Sequence, residues 1–237
     1  MIIKRFFLTF LSLWCLSSCN TEKKNYFPLG EKRSWSYQID VIPEIETKKI
    51  YKKINSGLKK QKITSTITNE EITVFPIQRE NNSIYFYTKS KNGISRIGVQ
   101  FSGNKNIIFE KNKRFVIKYP LKKGSSWNSM SKTYLTLRRY PYFEYKAITD
   151  FEISNQIIST NEIVKVPAGE FKNCIQIKGL GETNFIDREI GSIKIKILTN
   201  EWYAPNIGLI KSVRVEETDT DLFGTTKMVQ VLDEYKF

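Results

Sequence analysis

The chain has 237 residues, with 38 Lys and Arg against 24 Asp and Glu, no histidine, three cysteines and a hydrophobic fraction of 40%. This suffices for a sizeable core in one large β-rich domain or two small ones. The missing histidine excludes Ser-His-Asp and Cys-His nucleophile activation, imidazole metal ligation and the commonest general base near neutral pH.

In chain order, Lys4 and Arg5 precede an apolar run, Phe6 to Leu16, interrupted only by Thr9 and Ser12. About eleven residues is short for a membrane span of about 20 and suits the apolar part of a secretion signal. Leu16-Ser17-Ser18-Cys19 then resembles the lipobox of bacterial lipoproteins: an aliphatic residue, two small residues and a cysteine. The resemblance implies cleavage between Ser18 and Cys19, a diacylglycerol on the Cys19 thiol and an acylated amino group, with chains such as palmitate. An ordinary signal peptide with an incidental cysteine is the plainer alternative. Asn20 follows the cysteine where enterobacterial lipoproteins retained at the inner membrane carry Asp, so the resemblance points to the periplasmic face of the outer membrane. A Gram-positive cell-surface lipoprotein is the other location. Two or three acyl chains hold a protein stably where one holds it weakly. Residues 1–18 are therefore expected to be a signal peptide, residues 19–25 a lipidated cysteine and short tether, and residues 26–237 a single β-rich domain.

Removing residues 1–18 takes away Lys4 and Arg5 and leaves 36 basic and 24 acidic residues, a formal +12. Residues 19–123 carry 22 basic and 9 acidic residues, whereas residues 124–237 carry 14 and 15. Lys48, Lys49, Lys52, Lys53, Lys59, Lys60 and Lys62 form the densest stretch. Such a face suits anionic headgroups or lipopolysaccharide phosphates as partners; export argues against nucleic acid. With 29 Lys to 9 Arg, much of this basicity reads as solvated surface.

Period-two patterning dominates the rest. Ser34 to Val41, Ser83 to Tyr87, Phe115 to Tyr119, Ile193 to Ile197 and Lys211 to Glu216 alternate apolar with polar residues, separated by turn signals such as Asn55-Ser56-Gly57, Asn92-Gly93 and Gly103-Asn104. The expected fold is all-β, a mainly antiparallel curved sheet or half-barrel with one wet face per strand; a β-sandwich is the alternative. Pro28-Leu29 followed by Ser34-Trp35 recurs, at the same spacing, as Pro120-Leu121 followed by Ser126-Trp127. The repeat predicts a turn feeding a strand opened by a core Trp, used twice, and possible halves at 26–118 and 119–237.

Those pairs, with Val166-Pro167-Ala168-Gly169-Glu170-Phe171 and Glu201-Trp202-Tyr203-Ala204-Pro205-Asn206-Ile207-Gly208-Leu209-Ile210-Lys211, resemble a group of uncharacterised bacterial envelope lipoproteins. Asn206 stands where that group often has Gly. The resemblance implies a curved sheet related to the lipoprotein-carrier half-barrels and transfers no catalytic residue. On plain physical grounds both motifs are tight turns, with Pro fixing φ and Gly free to take positive φ.

Cys174 is the only thiol left in the mature domain, so no internal disulfide forms, and without histidine no metal site is expected. Alternation places Cys174 with Gln176 and Lys178, opposite Ile175 and Ile177. Ser129-Met130-Ser131-Lys132 fits Ser-x-x-Lys but lacks the companion motifs of penicillin-binding enzymes. Glu216 to Asp221 is an acidic cluster that reads as a solvated hairpin end. The leading expectation is a non-enzymatic, membrane-anchored lipoprotein that binds an amphipathic ligand, with Trp35, Trp127, Trp202 and Tyr203 as candidate contacts and no cofactor. An envelope structural module that recruits another protein is the alternative, and a carboxylate hydrolase a third.

Overall fold

The structure is a computed structural model describing residues 24–30, 33–44, 52–60, 63–67, 70–139, 143–187, 191–221 and 223–237. Ser18 and Cys19 lie outside the described residues, as do Lys48, Lys49 and Lys62. Among the described residues there are thirteen strands: β1 (Ser34–Glu44), β2 (Lys52–Lys60), β3 (Ile63–Ile67), β4 (Glu70–Gln78), β5 (Ile84–Ser90), β6 (Gly93–Gln100), β7 (Ile108–Lys118), β8 (Ser126–Arg139), β9 (Phe143–Val166), β10 (Gly169–Asp187), β11 (Gly191–Ala204), β12 (Gly208–Thr218) and β13 (Thr225–Lys236).

They form one antiparallel sheet in the order β7-β6-β5-β4-β2-β1-β13-β12-β11-β10-β9-β8, with β3 paired to β4. Sequence neighbours pair throughout most of this order, and the long-range step joins β1 to β13 over the register Ser34↔Lys236 to Glu44↔Thr225. The sheet curls without closing. Trp127 of β8 donates its indole N–H to the Phe115 carbonyl of β7 at 3.2 Å, and no ladder joins these two strands among the described residues. On the other side, Thr133 of β8 donates to Glu216 of β12 at 2.7 Å and Arg214 donates to the Lys132 carbonyl at 3.0 Å. The curved antiparallel sheet expected from the alternation is thus the observed architecture.

The alternation that builds the strands is plainest in β11, where Ile193, Ile195 and Ile197 are buried and Ser192, Lys194 and Lys196 are exposed. The two repeated segments behave alike. Ser34-Trp35 opens β1 and Ser126-Trp127 opens β8, each Trp is 5% exposed, and each indole caps a distant carbonyl, Ile207 for Trp35 at 2.7 Å and Phe115 for Trp127. Burying such a ring contributes a large apolar area while the N–H keeps a partner.

Residues 24–30 enter the curl. Tyr26 is buried, and the Phe27 ring lies 5.3 Å from Tyr87 and 6.4 Å from Tyr203. The segment is stitched to the β11–β12 turn, where Asn206 donates its N–H to the Asn25 carbonyl at 2.7 Å and accepts from the Asn25 N–H at 3.1 Å. Asn206 has φ 61°. Asn is among the few non-glycine residues that tolerate this left-handed region, and its side chain here also holds the entering segment.

Cys174 and Ile175 follow the alternation into separate clusters, and both are buried. Cys174 lies with Trp35, Val164, Ala204 and Leu232, whereas Ile175 and Ile177 lie with Tyr203 and Trp127. Just ahead of Cys174, Asn173 takes φ 55° and the β9–β10 register shifts between Phe171, Cys174 and Gln176, a bulge.

Candidate functional site

Between the β4–β7 arm and strands β11, β12, β13 and β1 lies a cavity of about 370 Å³. Its apolar wall includes Phe27, Trp35, Ile39, Ile77, Val116, Leu209 and Met228. Its polar lining is dominated by four arginines, Arg79, Arg96, Arg114 and Arg214, together with Glu201, Tyr37, Tyr87 and Tyr203. Four of the nine arginines in the chain therefore meet around one space.

Pairing registers explain how they converge. Tyr87, Arg96 and Arg114 form one row across β5, β6 and β7, since Tyr87 is opposite Arg96 and Arg96 is opposite Arg114. On the facing strands, Thr199 is opposite Arg214, which is opposite Met228, while Glu201, Ser212 and Gln230 form the next row. Arg79, exposed at the end of β4, lies at the rim and stacks on Tyr85 at 3.9 Å, and Arg96 lies 5.2 Å from the same ring. Arg79 and Trp35 also line an adjoining surface depression of about 380 Å³.

The charges are unevenly compensated. Arg96 donates from Nε to Glu110 at 2.5 Å, and Arg214 donates from Nε to Glu216 at 2.6 Å. Arg114 has no hydrogen-bond or ion-pair partner among the described residues. Burial, with the like charge of Arg96, lowers its pKa, while Glu110, Tyr87 and Glu201 act in the opposite direction. Glu201 accepts a hydrogen bond from the Tyr203 hydroxyl at 2.7 Å. Burial raises its carboxyl pKa, against the opposing pull of that bond and of Arg114 and Arg214. Burial and the neighbouring Glu201 push the Tyr203 phenol well up, so it stays a donor. The Tyr37 hydroxyl is committed to the Leu209 carbonyl at 2.9 Å.

Chemically, this is a partly apolar space lined by cationic forks from both walls, suited to an anionic group on an apolar body. Of the aromatic candidates, Trp35 and Tyr203 line the cavity. Trp127 is packed into the core with Ile117, Ile157 and Ile175. Trp202 is partly buried against the cluster containing Cys174 and Leu232, with the Lys211 ammonium 5.0 Å from its ring. The arginines and Glu201 escaped the sequence reading. Their scarcity beside lysine was the available signal, because Arg is favoured where bidentate contact matters.

The other sequence patterns resolve into structure. Ser129 and Ser131 point inward on β8, where Asn155 donates to Ser129 at 3.0 Å, whereas Lys132 points outward to pair with Asp150 at 2.9 Å. The Ser-x-x-Lys serine and lysine thus lie on opposite faces. In the acidic stretch, Glu216 binds Arg214 and Asp219 accepts the Lys194 N–H at 2.9 Å. Among the described residues no group of three or more His, Cys, Asp or Glu is placed to hold a metal, and no helix is long and apolar enough to cross a membrane.

Residues 116–227 match the DUF3108-like family. The fold is similar to two crystal structures. One is described as an exported protein with a YmcC-like fold from Bacteroides fragilis, with 14% identity over 90% of this chain and 100% of that one, TM-score 0.48. The other is described as a lipoprotein from Parabacteroides distasonis, with 14% identity over 90% of this chain and 99% of that one, TM-score 0.41. No curated protein matches the chain.

Proposed function

We propose that the protein is a non-enzymatic bacterial lipoprotein, anchored through Cys19 at the periplasmic face of the outer membrane, whose curled sheet binds an amphipathic ligand. The observation that carries the reading is the cavity, which combines an apolar wall with four arginines. A carboxylate hydrolase would need two convergent acids, and among the described residues Glu201 is the acidic side chain that lines the cavity. Lipid anchoring would place the site close to the bilayer, since the six residues Asn20 to Asn25 span at most about 20 Å. Anionic lipid and lipopolysaccharide components are then the nearest ligands of fitting chemistry.

Two measurements test it. Cys19→Ala is expected to abolish fatty-acid labelling and release the protein from membranes; continued labelling would refute the anchor. Native mass spectrometry of the mature chain extracted from its own membranes is expected to reveal a bound amphiphile, and a protein that stays at its bare mass under gentle ionisation counts against the ligand reading. An interaction module is the second reading. It is favoured by Tyr134 and Ile148, cross-strand neighbours on β8 and β9 that are 58% and 60% exposed.

A further inference from the structure

Arg96 and Arg114 occupy directly opposed positions on β6 and β7. Opposed residues in an antiparallel pair have Cβ atoms about 4.5–5.5 Å apart, and like charges there destabilise the sheet. Glu110 compensates Arg96 through an ion pair whose side chains are 14% and 18% exposed. Nothing comparable compensates Arg114 among the described residues. The nearby carboxyl, Glu201, is already engaged by Tyr203 and lies on the facing strand β11. A surface cation would be solvated and need no partner, but Arg114 is half-buried and lines a cavity with apolar walls. Withdrawing a guanidinium from water beside a second one costs stability unless an anion completes the pair.

We infer that Arg96 and Arg114 form the oxyanion-binding end of the cavity, taking the carboxylate or phosphate of a small amphiphile whose apolar part lies against Phe27, Val116 and Leu209. This rests on the ligand reading above and names the ligand's chemical class. The oxyanion supplies the negative charge missing between the two guanidinium groups, and their planar forks suit its paired oxygens. The volume of about 370 Å³ is near the lower end of ligand pockets, roughly 300–1,000 Å³, which limits the apolar part to a small one.

The test uses the whole mature chain, residues 19–237, with Cys19→Ser so that it stays in solution. Binding of laurate, dodecyl phosphate, neutral glycerol monolaurate and inorganic phosphate is measured by calorimetry below the micelle concentrations. Laurate and dodecyl phosphate are expected to bind more tightly than monolaurate. Arg114→Gln is expected to weaken the two anions by roughly 10- to 100-fold, the loss of a charge-assisted contact, while leaving monolaurate unchanged. The same variant is expected to melt no lower than the parent, because it removes a like-charge opposition; a purely structural arginine would lower it.

Equal affinity for monolaurate and the anions, unaffected by Arg114→Gln, overturns the oxyanion site while leaving an apolar ligand cavity standing. Inorganic phosphate binding as tightly as dodecyl phosphate overturns the amphiphile and leaves a phosphate site. No binding of any of the four overturns both this inference and the ligand reading. Should Arg114→Gln fail to fold, the charged-against-neutral comparison on the parent chain decides alone.

Discussion

Arg96 and Arg114 face each other across the β6–β7 ladder, and of the two only Arg96 has a carboxylate partner among the described residues. That asymmetry makes Glu110 more than a surface counter-ion. Glu110→Gln leaves two opposed guanidinium groups uncompensated in a half-buried site, and the expected loss is about 3 kcal/mol by chemical denaturation. Adding Arg114→Gln to that variant is expected to return about 1 kcal/mol, since contacting charges couple by about 0.5–3 kcal/mol. A double variant no more stable than Glu110→Gln would show that the two arginines do not oppose each other energetically.

Glu201 gives a pH dependence whose sign is fixed by its raised pKa. The folded protein holds this proton more tightly than the unfolded chain. The associated stability is fully present below the ordinary carboxyl pKa and is lost as pH rises through the higher folded value. Glu201→Gln keeps an acceptor for Tyr203 and has no proton to lose. Relative to that variant, the wild type is therefore expected to lose melting temperature as pH rises from the ordinary carboxyl range upward. Arg114 and Arg214 on the facing and adjacent strands narrow this window, and Tyr203, Tyr87 and Tyr37 keep their protons throughout it. Parallel pH profiles for the two proteins would contradict the assignment.

Gly181 on β10 lies under the Phe151 ring. A Cβ at that position would come within 2.5 Å of Cε2 and 2.7 Å of Cδ2, and Phe151 is itself packed with Ile153, Ile193, Ile195 and Phe223. Gly181→Ala is expected to cost about 1–3 kcal/mol by overpacking. Combining it with Phe151→Leu should shrink the added cost of the alanine, measurable in a denaturant double-variant cycle.

Cys174 is buried, donates weakly to the Phe171 carbonyl at 3.4 Å, and has its thiol pKa pushed up to about 11, chiefly by burial. The thiolate is the reactive form, so the folded protein is expected to resist iodoacetamide at pH 8 and to react once unfolded. Its linkage has the same sign as that of Glu201: the contribution is present below the ordinary thiol range and fades as pH rises through about 11. Fast alkylation of the native protein at pH 8 would exclude the buried geometry.

The strands were legible where alternation is strict, as in Ile193, Ile195 and Ile197, and where the repeated Ser-Trp pairs announce a strand start. Alternation misleads on β8. There the buried positions are Ser129, Ser131 and Thr133, while Met130 and Tyr134 are exposed. The inner face of β8 meets polar groups: Thr133 donates to Glu216, the partner of Arg214 across the curl, and Ser129 accepts from Asn155. Alternation correctly separates Cys174 from Ile175 and Ile177, which lie in different clusters, but local periodicity does not register the bulge at Asn173 just ahead of it. The cavity was illegible for a different reason. Its arginines come from β6, β7, β12 and the turn after β4, and Lys111-Asn112-Lys113-Arg114 reads in isolation as solvated charge; only the curl of the sheet brings them together.

The reciprocal bonds between Asn25 and Asn206 carry a mechanical meaning. Tension applied to the chain ahead of Lys24 enters the fold at the β11–β12 turn, where two hydrogen bonds share the load and the buried Tyr26 and Trp35 lie just behind them in sequence. A protein moored through its N-terminus would thus take strain at its centre, on the strands that wall the cavity, and not at the free rims of the sheet.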